Sequence, residues 1–182
     1  NPDAAFSPDP VTTSTSELRV PIAHVDLGPA DVPTGFPHTP VGAVGQLAAI
    51  EKAVLESMSL PATRDIHSAW VQPGGPSVEE WELTRNVQSF LAAARQSGVE
   101  KDLTTLVSAT PAAGVVKGSD GPDWTVVCVL MDVQAVIRTE SRMGYGFCSR
   151  MAWNPDEQRW LVAPGAPPAA AMARSNCRFR RL

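Results

Sequence analysis

Apolar residues recur at helical spacing in the first half of the chain. The first such stretch follows Thr39, whose side chain can cap exposed N–H groups, and Pro40, which is tolerated at the first position of a helix. Its apolar stripe comprises Val44, Leu47, Ala48, Leu55 and Met58. This pattern predicts a helix that begins at Pro40 and ends at Pro61. A short second helix is expected over residues 62–70.

A third helix has a marked start. Ser77 and Glu80 have the spacing of a capping box, in which the two side chains bond to each other's backbone N–H groups. Gly98 follows the apolar stripe and is suited to the left-handed conformation that closes a helix. These signals predict a helix over about residues 78–97.

The pattern then changes to short β-rich stretches. Three segments, residues 106–117, 124–138 and 145–154, are separated by a Gly-rich turn and by a polar bend at residues 139–142. The run at residues 126–131 is apolar on both faces, which is typical of a central strand. Helices followed by a meander predict an α+β fold, with the N-terminal helices packed on a curved antiparallel sheet.

The chain has 182 residues and a net charge of −4, which gives no general attraction to nucleic acid. Residues 1–17 have the composition of a flexible spacer, and we interpret them as following a removed signal or anchor. Residues 18–182 are then one α+β domain, which starts with an extended arm and ends in a basic tail. The expected location is extracytoplasmic, in the cell envelope or secreted, with membrane contact only through the removed anchor.

Two resemblances extend this picture. The predicted helices and the curved antiparallel sheet, together with a final strand that ends in residues 153–162, resemble the cone-shaped nuclear-transport-factor-two-like fold. Residues 20–21, 28–29 and 35–44 resemble the opening of an uncharacterised family of actinobacterial envelope proteins, whose members follow a membrane or lipid anchor. The fold is also similar to that of extracytoplasmic domains in conjugative and type IV secretion machines. These resemblances imply a scaffolding role and bring no catalytic residues.

Metal and cofactor chemistry lacks support in the sequence. His24, His38 and His67 lie in different segments without the spacing of metal ligands. Gly42 and Gly45 lack the remaining glycines of a nucleotide-binding loop. We therefore expect no metal and no cofactor, and we interpret His38 as a residue that fixes the turn before the first helix.

The three cysteines, Cys128, Cys148 and Cys177, form no redox or zinc motif. In an oxidising compartment, one disulfide and one buried thiol are expected. Cys128 lies in the most apolar strand and is predicted to be the buried thiol. Cys148 and Cys177 remain as the candidates for a disulfide.

A polar pair is predicted on the sheet. A hairpin that turns near Ser141 fixes the register of its two strands by a constant index sum. Asp132 then faces Arg150, and Gln134 faces Cys148. Asp132, Gln134 and Arg150 are our candidate pocket residues, although an ordinary ion pair on a half-exposed sheet face explains the same pattern.

Two functions are consistent with these observations. The first is a non-catalytic extracytoplasmic domain that binds another protein or a second copy of itself, in a conjugation or secretion assembly. The second is a small-molecule binder, or a cyclase- or isomerase-like enzyme, that uses a pocket between helices and sheet. The lack of a recognisable cluster of catalytic residues favours the first function, and a deep polar pocket would favour the second.

Overall fold

The computed structural model describes residues 19–20, 26–96 and 98–165, together with the backbone of residues 180–181. The spacer at residues 1–17 and most of the basic tail lie outside these residues. The described chain has a mixed α+β structure, in which helices precede an antiparallel sheet that does not close. The helices are α1 (Pro40–Ser57), α2 (Leu60–Trp70) and α3 (Glu82–Ala93). No helix of the described residues is both long and apolar enough to cross a membrane.

The strands confirm the predicted meander. They are β1 (Asp26–Leu27), β2 (Pro33–Thr34), β3 (Leu106–Asp120), β4 (Trp124–Val136), β5 (Glu140–Asn154), β6 (Arg159–Val162) and β7 (Arg180–Arg181). The first two pair with each other, and the other five form one sheet in the order β6-β5-β4-β3-β7. Neighbouring strands of this sheet are antiparallel. The apolar strand β4 lies at the centre, as its sequence indicates.

Helix α1 begins where the sequence predicts. The Thr39 side chain accepts a hydrogen bond from the N–H of Gly42 at 3.0 Å, which caps the helix. The helix ends earlier than predicted, because Met58 takes the left-handed conformation with φ of 40°. Pro61 lies in the first turn of α2, where proline is tolerated, so the prediction that it ends α1 is wrong.

Helix α3 is shorter than predicted. The expected capping contact forms, since the N–H of Glu80 donates to the Ser77 hydroxyl at 3.3 Å. This contact closes only one turn, because the buried Trp81 has an extended backbone and the helix begins after it. At the other end, Arg95 rather than Gly98 takes the left-handed conformation, with φ of 54°. The predicted bounds are therefore too wide at both ends.

The register between β4 and β5 also differs from the prediction. The strands turn at residues 137–139, so Asp132 faces Gly144 and Arg150 faces Val126. The predicted pairing of Asp132 with Arg150 is wrong. The polar residues 140–142 belong to β5 at an exposed end of the sheet, where a strand can carry polar side chains on both faces. Their polarity therefore does not mark the turn.

One face of the sheet packs against the helices and forms the core. Its main side chains are Val127, Val129, Met131 and Val133 of β4 and Phe147 and Met151 of β5. Helix α1 lies across β3 and β4. Because side chains alternate along a strand, the even-numbered residues of β4 and β5 lie on the opposite face. Cys128 and Cys148 belong to that second face.

Helix α1 buries two polar side chains completely, Gln46 and Glu51. The Gln46 amide donates to the carbonyl of Pro33 at 3.0 Å and accepts a hydrogen bond from the Thr34 hydroxyl at 3.0 Å. These bonds connect α1 to β2. Gln46 is therefore a structural side chain whose polar groups are paired.

Candidate functional site

The three candidate pocket residues do not form one pocket. Asp132 is bound by Arg142, whose Nε donates to the two carboxylate oxygens at 2.7 and 3.0 Å. The hydrogen bonds and the charge of Arg142 lower the pKa of Asp132. Gln134 faces Arg142 across the strands, and Arg150 lines a groove at the other end of β5. The ion-pair explanation holds for Asp132, with a different arginine as partner.

The disulfide joins Cys128 to Cys148, whose Cα atoms lie 4.0 Å apart. The prediction of a reduced Cys128 and of a bond between Cys148 and Cys177 is therefore wrong. The physical reason is the register, which places the first two cysteines directly opposite each other on neighbouring strands. Cys177 lies outside the described residues.

The histidines make structural contacts. His38 stacks on Trp153 with ring centroids 4.3 Å apart, and its Nε2 lies 2.6 Å from the Asp123 carboxylate. His67 Nε2 lies 2.8 Å from the carbonyl oxygen of Pro76. His24 lies outside the described residues. Within the part of the chain that the structure describes, no group of three or more His, Cys, Asp or Glu side chains could hold a metal ion.

A groove of about 260 Å³ opens between the start of α3 and the edge of β5. Its walls include Trp81, Glu82 and Arg85 from the helix side and Phe147, Ser149 and Arg150 from the strand. Strand β6 pairs with β5 only at residues 151–154, so this part of β5 has no strand on its outer side among the described residues. The groove is small for a ligand site and has both apolar and charged walls.

A cluster of polar side chains lies behind the groove. The Tyr145 hydroxyl accepts a hydrogen bond from the Asn86 side chain at 2.6 Å and lies 3.4 Å from a carboxylate oxygen of Glu82, to which it donates. Burial, followed by the charges of Glu82 and Glu51, raises the pKa of Tyr145. Glu82 belongs both to this cluster and to the groove wall. The cluster is therefore continuous with the groove.

Glu51 of α1 is the most unusual polar residue of the interior. Its side chain is fully buried, and neither carboxylate oxygen has a hydrogen-bond partner in the described structure. Burial and, secondly, the charge of Glu82 raise the pKa of Glu51 well above its usual value. A buried carboxyl without partners is costly, and perturbed acids of this kind concentrate at functional sites.

The sequence contains a signal for this residue that the pattern analysis missed. Glu51 lies four residues after Leu47 and four before Leu55, in the middle of the apolar stripe of α1. Residues at that spacing share a helix face, so Glu51 must face the core with them. An acid at the centre of an apolar stripe was therefore predictable. Its neighbours on α3 and β5 were not, because they depend on tertiary packing.

A second feature is an exposed apolar surface at the opposite end of β5. We call it the hairpin-end patch, and it consists of Leu103, Leu106, Val136, Ile137 and Met143, all exposed. Leu106 and Val136 are direct partners across β3 and β4 and lie on the second face of the sheet. Met143 pairs with the buried Val133 and lies on the helix-side face, so the patch includes both faces of this end of the sheet. The sequence analysis missed this patch, because the wrong turn position moved its residues apart.

No family model matches this chain, and a search of the curated proteins found no match. What the chain does is therefore inferred from its geometry.

Proposed function

We propose that this chain is a non-catalytic extracytoplasmic domain that binds another protein through the hairpin-end patch. A conjugation or secretion assembly of the cell envelope is the setting that we propose. The observation that carries this proposal is the patch itself. The resemblance of the N-terminal segment to actinobacterial envelope proteins is consistent with the proposed setting.

The patch has the composition of an interaction surface. Five of the seven large apolar side chains that are exposed among the described residues belong to it. Exposing such side chains to water is unfavourable, and patches of this kind mark sites of association. Arg138 and the ion pair of Asp132 with Arg142 lie beside it and supply a polar rim.

The disulfide supports the proposed location. Bonds of this type form and persist in oxidising compartments outside the cytosol. Peptide mapping without reduction, on protein recovered from its native compartment, should yield one crosslinked pair of peptides containing Cys128 and Cys148. Recovery of both residues as free thiols would contradict the proposed location.

We also infer a cone-like arrangement of the nuclear-transport-factor-two type. Three features support it: the helices precede the sheet, α1 crosses β3 and β4, and Val71 after α2 bridges to Val162 of β6 in parallel. In such an arrangement the helices and one face of the sheet would enclose an interior, and Glu51 and Tyr145 would be among the residues that line it.

Site-specific photo-crosslinking in the native host tests the protein-binding function. A photoreactive residue is placed at Leu103 or Met143, and at Asp156 as a control, because Asp156 lies in the turn at the opposite end of β5. We expect one protein to crosslink from both patch positions and not from Asp156.

A charged residue in the patch should then disrupt the complex. Leu106→Glu should reduce the crosslinked product about tenfold without changing the melting temperature, since its side chain is exposed. Lys117→Glu is the matched control, because it places the same side chain at an exposed position of the same strand. Equal crosslinking from patch and control positions, or no effect of Leu106→Glu, would refute the proposal.

A second candidate function is the binding of a small molecule between the helices and the sheet. The specific observation that favours it is the fully buried Glu51, whose carboxyl has no partner in the described structure. Native proteins pair nearly all buried polar groups, so an unpaired one calls for a missing partner. Stabilisation of the folded domain by small molecules that fit the groove tests this function.

A further inference from the structure

One edge of the sheet is open along part of β5. Strand β6 pairs with β5 at residues 151–154, and the N–H of Ala163 extends this pairing by donating to the carbonyl of Arg150 at 2.8 Å. Before Arg150, no strand of the described residues pairs with the outer side of β5. We call residues 144–149 the open edge of β5.

The neighbouring hydrogen bonds show which backbone groups point outward at this edge. In an antiparallel ladder, successive residues direct their N–H and C=O groups to opposite sides of the strand. Arg150 directs its carbonyl outward, to Ala163, and β5 pairs with β4 without irregularity. The even-numbered residues Gly144 and Gly146 therefore direct their N–H and C=O groups outward, whereas Tyr145 directs its own to β4.

The open edge lacks the features that protect other sheet edges. Such edges usually carry proline, charged side chains or β-bulges, which prevent the addition of a further strand. On the other side of β4, strand β3 contains Pro111 and two irregularities in its register, and it pairs with β7. Residues 144–149 contain no proline and no charged side chain. The open edge is therefore suited to accept another strand.

The groove described above lies beside this edge. Its walls include Phe147 and Ser149 of the open edge and Glu82 and Arg85 of α3. We propose that the open edge binds an extended segment of another protein, which adds to the sheet as a further strand beside the start of α3. Main-chain hydrogen bonds supply the affinity in this mode of recognition. The inference goes beyond the proposed function, because the hairpin-end patch contributes none of these residues.

The two faces of β5 indicate the chemistry of the segment. On the helix-side face the added strand lies beside Tyr145 and Phe147, and aromatic side chains pair favourably with β-branched ones across strands. On the second face the glycines leave room, since a Cβ added at Gly144 would lie 3.7 Å from Leu130, an ordinary van der Waals contact. The expected segment is therefore free of proline and carries β-branched residues at alternate positions.

A second copy of this chain fits the edge less well. Two equivalent edge strands that pair in antiparallel fashion are related by a two-fold axis, which places the helices of both copies on the same face of the sheet. The start of α3 lies close to this edge, because the Tyr145 hydroxyl accepts a hydrogen bond from Asn86 at 2.6 Å. The two copies of α3 would therefore compete for the same space, whereas an extended segment brings no helix with it.

Hydrogen exchange followed by NMR tests the unbound protein first. The amides of Gly144 and Gly146 should exchange rapidly, and the amide of Tyr145 slowly, because it faces β4. Sedimentation of the same sample gives its oligomeric state. Protected glycine amides in a monomer would mean that another part of the chain covers the edge, and in a dimer that a second copy covers it. Either result overturns the proposal.

The probe for binding is a labelled peptide of alternating valine and threonine with a lysine at each end. Fluorescence anisotropy should show saturable binding, and exchange of the Gly144 and Gly146 amides should slow about tenfold or more in the complex. The control peptide has three successive prolines at its centre, which remove hydrogen-bond donors, and should not bind. Failure of the first peptide to bind, or equal binding of the control peptide, would overturn the proposal.

Variants then assign the site to the backbone of β5. Gly144→Pro removes an outward N–H and keeps the bonds to β4, so it should weaken peptide binding about tenfold or more. Gly144→Ala is the matched control, because it retains the N–H, and it should leave binding unchanged. Where Gly144→Pro does not fold, the exchange measurement on the unaltered protein decides.

One further variant separates this inference from the proposed function. Leu106→Glu alters the hairpin-end patch and should leave peptide binding unchanged, because Leu106 lies on β3, away from the open edge. Loss of peptide binding in Leu106→Glu, or unchanged binding in a folded Gly144→Pro variant, would show that the peptide does not bind at the open edge.

Discussion

Gln46 and Glu51 lie five residues apart on α1, and both are fully buried, but their surroundings differ. The Gln46 amide is paired with Pro33 and Thr34 and connects the helix to the N-terminal hairpin. The Glu51 carboxyl has no partner in the described structure, and burial and the charge of Glu82 raise its pKa. One helix therefore carries a buried polar group that stabilises the fold and another whose burial destabilises it. This difference separates a structural polar residue from a functional candidate.

The largest expected effect comes from replacing Gln46 by leucine, which has a similar volume. Gln46→Leu should lower the free energy of unfolding by about 1–3 kcal/mol, because the two partly buried hydrogen bonds with the Pro33 carbonyl and the Thr34 hydroxyl are lost. Urea denaturation at pH 7.5 measures this loss.

The same replacement at Glu51 is the matched control. Glu51→Leu should leave the free energy of unfolding unchanged or raise it, because it removes a buried acid and fills an apolar site. A loss at Glu51 as large as the loss at Gln46 would show that the two residues play the same structural role, and the comparison would fail.

The pH dependence of stability sharpens the comparison. Burial and the charge of Glu82 raise the pKa of Glu51 in the folded state, so the folded protein holds this proton more tightly than the unfolded chain does. The contribution of Glu51 is fully present below its unfolded pKa of about 4.3 and is lost as the pH rises through its folded pKa.

We therefore expect the free energy of unfolding to fall as the pH rises above about 4.3, over the range in which Glu51 titrates. Glu51→Gln should reduce this slope, and Gln46→Leu should keep it. Chemical denaturation at several pH values measures the three profiles. Parallel profiles for Glu51→Gln and the unaltered protein would show that Glu51 does not carry the raised pKa.

The smallest expected effect concerns one hydrogen bond of Gln46. Thr34→Val removes the hydroxyl that donates to the Gln46 side chain and should lower the free energy of unfolding by about 1 kcal/mol. In the Gln46→Leu background the same change should have little further effect, because the partner is already absent. Full additivity in this double-mutant cycle would argue against the bond.

Local signals in the sequence predicted some elements well. The Thr39 cap and the apolar strand at residues 126–131 depend on near neighbours, and the structure has both where they were expected. The Ser77 capping contact was also predicted, but it closes a single turn. A cap can form before any short turn, so this contact alone does not fix where a helix begins.

Longer-range features could not be predicted, because they depend on the position of a single turn. A turn three residues later than the observed one changes every partner of β4 and β5. That error paired Asp132 with Arg150 and separated Cys128 from Cys148, which in fact face each other. It also hid the hairpin-end patch. The groove and the cluster around Glu51 need α3 to be placed against β5, and no sequence pattern supplies that placement.

The bond between Cys128 and Cys148 also has a mechanical consequence. It joins residues 20 positions apart, so a pulling force on the two ends of the chain cannot stretch the segment between them. Fully extended, such a segment would span about 70 Å. The chain cannot extend by this length while the disulfide is intact. Three residues of the hairpin-end patch, Val136, Ile137 and Met143, lie inside this closed loop. Under tension, therefore, they stay close together even when the helices have been pulled away from the sheet.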